Sequence, residues 1–263
     1  MPRLAVLGHP VGHSRSPAMH NAALAELGMA GEWSYAAIDV APDAFEARVR
    51  EMLQEGFAGA NVTVPHKSAA LGVADELSET AREIGAANTL VLAGGEIRAD
   101  NTDAAGLLAA LPASAEGKRA LVLGAGGAAR AIVWALVREG AEVAVWNRTE
   151  LRSQHLCEEL GGDPVGEPDQ ASYELIVNST TVGLAGEDTF GELPLRPDGF
   201  SAEQTVVDMV YGDAPTALLR AAEAAGATVV DGIEVLVRQG ALSLELWTGC
   251  EAPVEAMRAA ARR

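Results

Sequence analysis

The 263-residue sequence predicts an α/β protein of two domains. Three features carry that expectation. Short β-type runs alternate with helical ones, a glycine-rich turn joins one strand directly to the next helix, and a stretch bearing Pro and Gly at 111–117 interrupts the alternation near mid-chain. Alternation of this kind implies parallel sheets covered by helices.

Taken in order, residues 4–7 read as a first strand ending at Gly8, followed by a helix over 17–27 that opens at Pro17. Strands are expected at 33–40, 58–63 and 89–92, with helices over 41–55 and 78–84. Beyond Lys118 the pattern is strand 120–123, helix 128–139, strand 142–146, then a helix over 149–160 with Thr149 as its cap. Strands at 175–178 and 206–209, a helix over 215–225 and a strand at 228–230 complete the second half, and Gly232 closes it. Helices are expected over 233–248 and 254–262. These assignments give a first domain of residues 1–103 and a second of 104–232, with the cleft between them as the expected site.

Composition narrows the function. Hydrophobic residues make up 49% of the chain, enough for a packed interior. No run approaches the roughly 18 apolar residues of a membrane span, and the opening apolar stretch is too short for a secretory signal, so a cytoplasmic protein is expected. Asp and Glu number 37 against 19 Lys and Arg, a net charge of −18 that repels nucleic acid and anionic membrane. The expected partner is a small molecule; monomer and homodimer both stay open. Cys157 and Cys250 are too few and too far apart for a disulfide framework. Only Lys67 and Lys118 are lysines among many arginines, which raises the question of what a titratable amine does at those positions.

The turn after residues 120–123 reads Gly124-Ala125-Gly126-Gly127-Ala128-Ala129, the G-x-G-x-x-A form of the dinucleotide fingerprint. Missing Cβ atoms at Gly124 and Gly126 permit a tight turn and close approach of backbone N–H groups to a pyrophosphate. An NAD site places a carboxylate at the end of the following strand, about 20 residues on, for the ribose 2′-hydroxyl. Here that strand ends in Asn147-Arg148-Thr149, with Arg152 one helical turn later. Two guanidiniums, a hydroxyl and an amide at a helix N-terminus suit a 2′-phosphate, so the expected cofactor is NADP.

The first half gathers small polar residues at strand ends and turns: Ser14 and Ser16, Asn61 and Thr63 two apart on one face, Asn88, and Asn101-Thr102-Asp103. Uncharged donors in this number suit a ligand with several hydroxyls and a carboxylate. An ammonium such as Lys67 can donate a proton, as a guanidinium cannot, and a nearby Asp103 would hold it. On residue type alone, however, a lysine after a strand and an aspartate opening a helix are more often a solvated charge and a helix cap. His9, His13 and His20 share no helical face and lack a Cys or acidic partner, so no metal is expected. His66 reads as a surface residue.

At these positions the sequence resembles the shikimate dehydrogenase family. The matching segments are GHPVGHSRSPAMHN (8–21), GANVTVPHK (59–67), IGAANT (84–89), ADNTD (99–103), LGAGGAARA (123–131), WNRT (146–149), DMVY (208–211) and WTG (247–249), with Gln239-Gly240-Ala241 between the last two. The resemblance implies an N-terminal substrate domain, a Rossmann-type NADP domain, and reduction of 3-dehydroshikimate to shikimate in aromatic amino acid biosynthesis. It implies that Ser14 and Ser16 hold the substrate carboxylate, that Asn61, Thr63, Asn88 and Gln239 meet ring hydroxyls, and that Tyr211 reaches the substrate. Lys67 and Asp103 are implied as a catalytic acid–base pair. Gly124, Ala125, Gly126, Gly127 and Ala128 would cradle the pyrophosphate, Asn147, Arg148, Thr149 and Arg152 the 2′-phosphate, while Met209 and Gly232 border the nicotinamide. Gln239 as a substrate ligand implies that residues 233–263 return to the first domain. Thr181 stands where the family usually carries proline. A relative acting on quinate, or a ligand sensor without chemistry, is the alternative; the presence of both Lys67 and Asp103 argues against the sensor.

Overall fold

The computed structural model describes residues 1–184, 186 and 188–263. It divides into two compact units, Met1–Gly106 with Leu236–Arg263, and Leu107–Val235. No helix of the described residues is long and apolar enough to cross a membrane.

The first unit contains β1 (Arg3–Gly8), α1 (Ser16–Glu26), β2 (Ser34–Asp39), α2 (Phe45–Gln54), β3 (Phe57–Val62), α3 (Ala69–Val73), β4 (Glu76–Leu77), α4 (Glu79–Ile84), β5 (Thr89–Ala93), β6 (Glu96–Asp100) and the start of α5 (Asp103–Ala110). Its sheet runs β2-β1-β3-β5-β6-β4. Strand β1 is parallel to both neighbours, but β5 is antiparallel to β3 and to β6, so the expectation of an all-parallel sheet is corrected here. Between β5 and β6 the cause is a two-residue turn at Gly94-Gly95, where φ is 64° and 86°. Both residues occupy the left-handed region that such hairpin turns require, and glycine enters it without steric cost. Side chains of β1 alternate between two cores: Ala5 and Leu7 join Phe45, Val49, Met52 and Ile97, while Leu4 and Val6 join Tyr35 and Trp247. The predicted helix over 41–55 begins as a 3₁₀ turn at Pro42–Ala44, and α2 proper starts at Phe45.

The second unit contains β7 (Arg119–Leu123), α6 (Gly127–Arg138), β8 (Glu142–Trp146), α7 (Glu150–Leu160), β9 (Asp163–Pro164), β10 (Leu175–Asn178), α8 (Thr189–Glu192), β11 (Thr205–Asp208), α9 (Ala217–Ala224) and β12 (Thr228–Val230). Its sheet is β12-β11-β10-β7-β8-β9, parallel throughout. Counted from β7, this is the 3-2-1-4-5-6 order of the doubly wound dinucleotide fold, with the switch point between β7 and β10. Both faces of β7 are covered: Ala120 and Val122 pack with Ile132, Val133, Leu136 and Leu156, and Leu121 and Leu123 with Leu218, Leu219 and Phe200.

The chain passes between units inside helices, within α5 on the way out and within α10 (Gly232–Thr248) on the way back. The last helix, α11 (Val254–Ala261), packs on α1. Trp247 near the end of α10 lies against β3 and donates Nε1–H to Leu90 O at 2.9 Å. A Cβ at Gly59 would overlap that indole, so β3 needs glycine there to receive the helix.

Candidate active site

In the first unit Lys67 follows the turn after β3, and its carbonyl is pinned by Ala87 N at 2.8 Å. Its Nζ donates to Asp103 Oδ2 at 2.5 Å, with side-chain exposures of 12% and 6%. Asp103 opens α5 without capping it. Asn101 Oδ1 receives Asp103 N at 3.0 Å and Ala104 N at 3.4 Å, which frees both carboxylate oxygens for other partners. Oδ1 receives Asn88 Nδ2 at 2.9 Å. An ion pair this far from water is held by its hydrogen bonds, and removing one partner strands a buried charge.

Around the pair lies a buried amide cluster whose orientations are fixed by backbone groups. Thr102 N donates to Asn88 Oδ1 at 2.7 Å, so Asn88 Nδ2 must be the atom facing Asp103 and Gln239 Oε1 (3.0 Å). Gln239 Nε2 donates to Leu236 O at 2.8 Å, which turns Oε1 toward Asn88. Asn61 Nδ2 reaches Asn88 O at 3.2 Å, so Asn61 Oδ1 faces Tyr35 and accepts from its hydroxyl at 2.7 Å. Only a carbonyl or an N–H settles an amide in this way, because each has a single possible role.

Ser14 Oγ accepts from Ser16 N at 3.2 Å. The hydroxyls of Ser16 and Thr63 have no protein partner among the described residues, and so remain available to a ligand. Thr63 packs its methyl beside Gly8, where a Cβ would lie 2.5 Å from Thr63 Cγ2. His66, expected on the surface, is buried: its ring stacks on Phe45 at 4.5 Å and Nε2 lies 2.7 Å from Val40 O. Local polarity suggested exposure, and the partners that bury it come from a distant segment. His20 is fully buried and stacked on Tyr35 at 4.2 Å, with no hydrogen-bond partner for either ring nitrogen. Burial pushes its pKa down to about 3; the Asn61 side chain beside it opposes this only in part and does not reach hydrogen-bonding geometry. Among the described residues no group of three or more His, Cys, Asp or Glu is placed to hold a metal ion, and His9 Nδ1 lies 2.7 Å from Asp39 Oδ1.

In the second unit Gly124 has φ 111°, and a Cβ there would meet Ser179 Oγ at 2.7 Å. Ser179 crosses from the end of β10 to donate to Leu123 O at 2.7 Å, so the switch point closes only over glycine. At Gly126 a Cβ would meet nothing within 4 Å. Protein packing therefore does not demand glycine at that position, and the backbone there is open to close approach. Gly127 begins α6, and no side chain caps it. Ala125 completes the turn, Ala128 lies in the first turn of α6, and Ala129 is buried.

Past β8, Asn147 Nδ2 donates to Thr149 O at 2.9 Å. Thr149 stands at the cap position of α7, but its side chain makes no capping bond, which corrects that expectation and leaves the helix N-terminus open. Arg148 is 83% exposed and only loosely tied to Glu192 at 3.3 Å; Glu150 bonds Gln154 instead. Arg152 is exposed, and no carboxylate ends β8. This donor set fits a phosphate bound at a ribose 2′ position. Met209 follows β11, its N–H bonded to Asn178 O at 2.9 Å, and Gly232 lies so close that a Cβ would sit 2.5 Å from Met209 O. Tyr211 follows, half-buried. Beside them the loop containing Thr181 is tied by Asn178: Oδ1 receives Thr180 N and Oγ1 at 3.1 and 2.7 Å, and Nδ2 donates to Val182 O at 3.3 Å. Those bonds order the loop without a proline ring. Asn178 is itself anchored on buried Asp208 at 2.9 Å.

Residue-level reading of the sequence passed over Tyr35, Thr89 and Ser243, and named Thr102 only as part of a polar triplet; all four belong to the buried cluster. Thr89 and Thr102 sit inside the quoted segments, and Ser243 lies four residues after Gln239 on the same helical face; that spacing was the available signal. Tyr35 had none, since its partner is remote in sequence.

A parallel sheet in dinucleotide-binding order, and a separate α/β unit built around a dry lysine–aspartate pair, define a nucleotide-dependent oxidoreductase of two domains. The description "Shikimate dehydrogenase substrate binding domain" matches residues 6–90, "Shikimate / quinate 5-dehydrogenase" residues 107–181, and "Shikimate 5'-dehydrogenase C-terminal domain" residues 232–262. Shikimate dehydrogenase (NADP(+)) of Thermus thermophilus is 46% identical, the match covering all of this chain and 98% of the relative. That of Methanopyrus kandleri is 44% identical, over 97% and 93%. The crystal structure of shikimate 5-dehydrogenase from Thermus thermophilus in complex with NADP(H) and shikimate superposes with a TM-score of 0.91 at 45% identity, covering 100% of this chain and 99% of that one. The chain belongs to the shikimate dehydrogenase family.

Proposed function

We propose that the protein is an NADP-dependent shikimate dehydrogenase that reduces 3-dehydroshikimate to shikimate for aromatic amino acid biosynthesis, with Lys67 and Asp103 as one acid–base unit. The observation that carries this reading is the 2.5 Å Lys67–Asp103 pair, joined through Asn88 to Gln239 in a single buried network. The unit of residues 1–106 and 236–263 binds the acid, and that of 107–235 binds the dinucleotide. The uncommitted hydroxyls of Ser16 and Thr63, with Ser14, receive the carboxylate and one ring hydroxyl; Asn61, Asn88, Gln239 and Tyr211 meet the rest of the ring.

NADPH, when bound, supplies the hydride for the ring carbonyl. Gly124 to Ala128 offer backbone N–H groups to its pyrophosphate, and Asn147, Arg148, Thr149 and Arg152 hold its 2′-phosphate. Met209 and Gly232 border the nicotinamide. Lys67 Nζ donates a proton to the oxygen as negative charge develops on it, and Asp103 Oδ2 holds the amine in line for that transfer. The two side chains share one hydrogen bond and act together as one acid–base unit. The same unit accepts the proton when shikimate is oxidised.

The test follows the absorbance of the reduced nicotinamide with shikimate or quinate and with NADP or NAD. NADP-dependent turnover of shikimate is the expected result. Faster turnover of quinate would overturn the substrate assignment, and binding of both ligands without turnover would make the protein a sensor.

A further inference from the structure

We propose that Ser243 is a positioning residue of the acid site, holding the Asn61 amide in the orientation that a ring hydroxyl of the substrate meets. This rests on the reading above that Asn61 contacts the acid. Ser243 is fully buried on α10, four residues beyond Gln239, and no ligand can touch it. Its Oγ nevertheless stands at the junction of four polar groups from four segments. Asn61 Nδ2 lies at 2.9 Å, Thr89 Oγ1 at 2.8 Å, Thr102 Oγ1 at 3.1 Å and Gln239 O at 3.1 Å.

A hydroxyl has one proton and two acceptor positions, so these neighbours constrain one another. Asn61 Nδ2 is fixed as a donor by Asn88 O, and Ser243 must accept from it. The serine proton then goes to Gln239 O, which can only accept, or to the hydroxyl of Thr89 or of Thr102. When it goes to Gln239 O, Thr89 can donate back to Ser243; when it goes to Thr89, Thr89 in turn donates to Asn88 Oδ1 at 3.1 Å. In the latter arrangement the hydroxyls form an ordered chain from Asn61 through Ser243 and Thr89 to Asn88, and Asn88 bonds Asp103.

The three amides differ in what secures them. Asn88 and Gln239 are each held by a short bond to a backbone group, 2.7 Å from Thr102 N and 2.8 Å to Leu236 O. On its nitrogen side Asn61 has only the 3.2 Å bond to Asn88 O and a 3.4 Å approach to Thr89 besides Ser243. Ser243 is therefore the main anchor of that NH₂ group, as Tyr35 is of Oδ1. Replacing the hydroxyl with a methyl leaves a buried N–H poorly partnered and lets the amide rotate away from a substrate hydroxyl.

The experiment compares wild type, Ser243→Ala, Ser243→Thr, Asn61→Ala and the double variant Ser243→Ala/Asn61→Ala in steady-state kinetics with shikimate and NADP. Ser243→Ala is expected to raise KM for shikimate about tenfold, with kcat and KM for NADP within about threefold of wild type. Ser243→Thr, which keeps the hydroxyl, should recover most of the loss. In the Asn61→Ala background, Ser243→Ala should add less than twofold, since the amide it positions is already gone. Unchanged KM for shikimate, equal weakening of shikimate and NADP, or full additivity with Asn61→Ala would each overturn the role. Should Ser243→Ala fail to fold, Ser243→Cys takes its place in the cycle, with a smaller rise of the same kind expected. An inactive wild type would sink the substrate assignment, whereas an active wild type with an indifferent Ser243→Ala sinks only the positioning role.

Discussion

Lys67 combines a nearly dry ammonium with a single carboxylate partner, and three consequences belong to single residues of this kind. Lys67→Ala should lower kcat by 10² or more while KM for shikimate stays within about tenfold, because the proton donor is lost and the hydroxyl contacts remain. A large rise in KM at unchanged kcat would make Lys67 a binding residue only. Arg148→Ala/Arg152→Ala should weaken NADPH much more than NADH, and equal weakening in a binding titration would remove the 2′-phosphate role. His20 carries a pH signature. Its folded pKa is about 3 against an ordinary 6.5, so below pH 6.5 the unfolded chain takes up a proton that the folded one refuses. The stability it supports is full above 6.5 and is lost as pH falls toward 3, by up to tenfold per pH unit in the folding equilibrium. His20→Phe keeps the stack on Tyr35, and its denaturation midpoint should fall less than wild type over that interval; parallel curves would contradict this. Lys67 and Asp103 stood out in the sequence because their segments are distinctive. Ser243, a serine in a helix of ordinary composition, acquires its importance from partners in remote segments, which no local pattern encodes.

At the scale of elements, the turn from β7 into α6 has the least freedom. Gly124 combines a left-handed φ with a neighbouring hydroxyl that blocks any Cβ. Gly124→Ala should therefore lower stability by about 1–3 kcal/mol, read as a drop in Tm of roughly 2–4 °C per kcal/mol, and should weaken NADP binding. A variant with wild-type Tm and affinity would refute the steric argument. The strands and helices of the second unit were legible because each strand is flanked by helices and punctuated by turn residues. The first unit was read less well. The hairpin of β5 and β6 hides in Gly94-Gly95, a strong two-residue turn signal, and overlooking it made a mixed sheet look parallel. Elements as short as β4, α3 and β9 have no periodicity to detect; their neighbours in the sheet and in the cores define them.

Across the whole molecule the excess of acidic residues, −18 net, opposes the approach of an anionic acid and of a dinucleotide phosphate alike. The Ser14, Ser16 and Thr63 hydroxyls, proposed above to receive the acid, bring no positive field of their own. Raising ionic strength from about 0.01 to 0.1 M shortens the Debye length from roughly 30 to 10 Å. At fixed saturating NADP, kcat/KM for shikimate should rise across that range; a fall would mean that local cations dominate the approach. The passage of α10 between the units has a further consequence during translation. The ribosome delivers the chain from its N-terminus at about 5–20 residues per second. Every strand of the dinucleotide unit has therefore been made before Gln239, Ser243, Trp247 and α11 exist. Residues 1–106 are made before the dinucleotide unit yet wait for residues 236–263, which are made after it, so a nascent chain arrested near Val235 has every strand of the second unit but lacks the helices that complete the first.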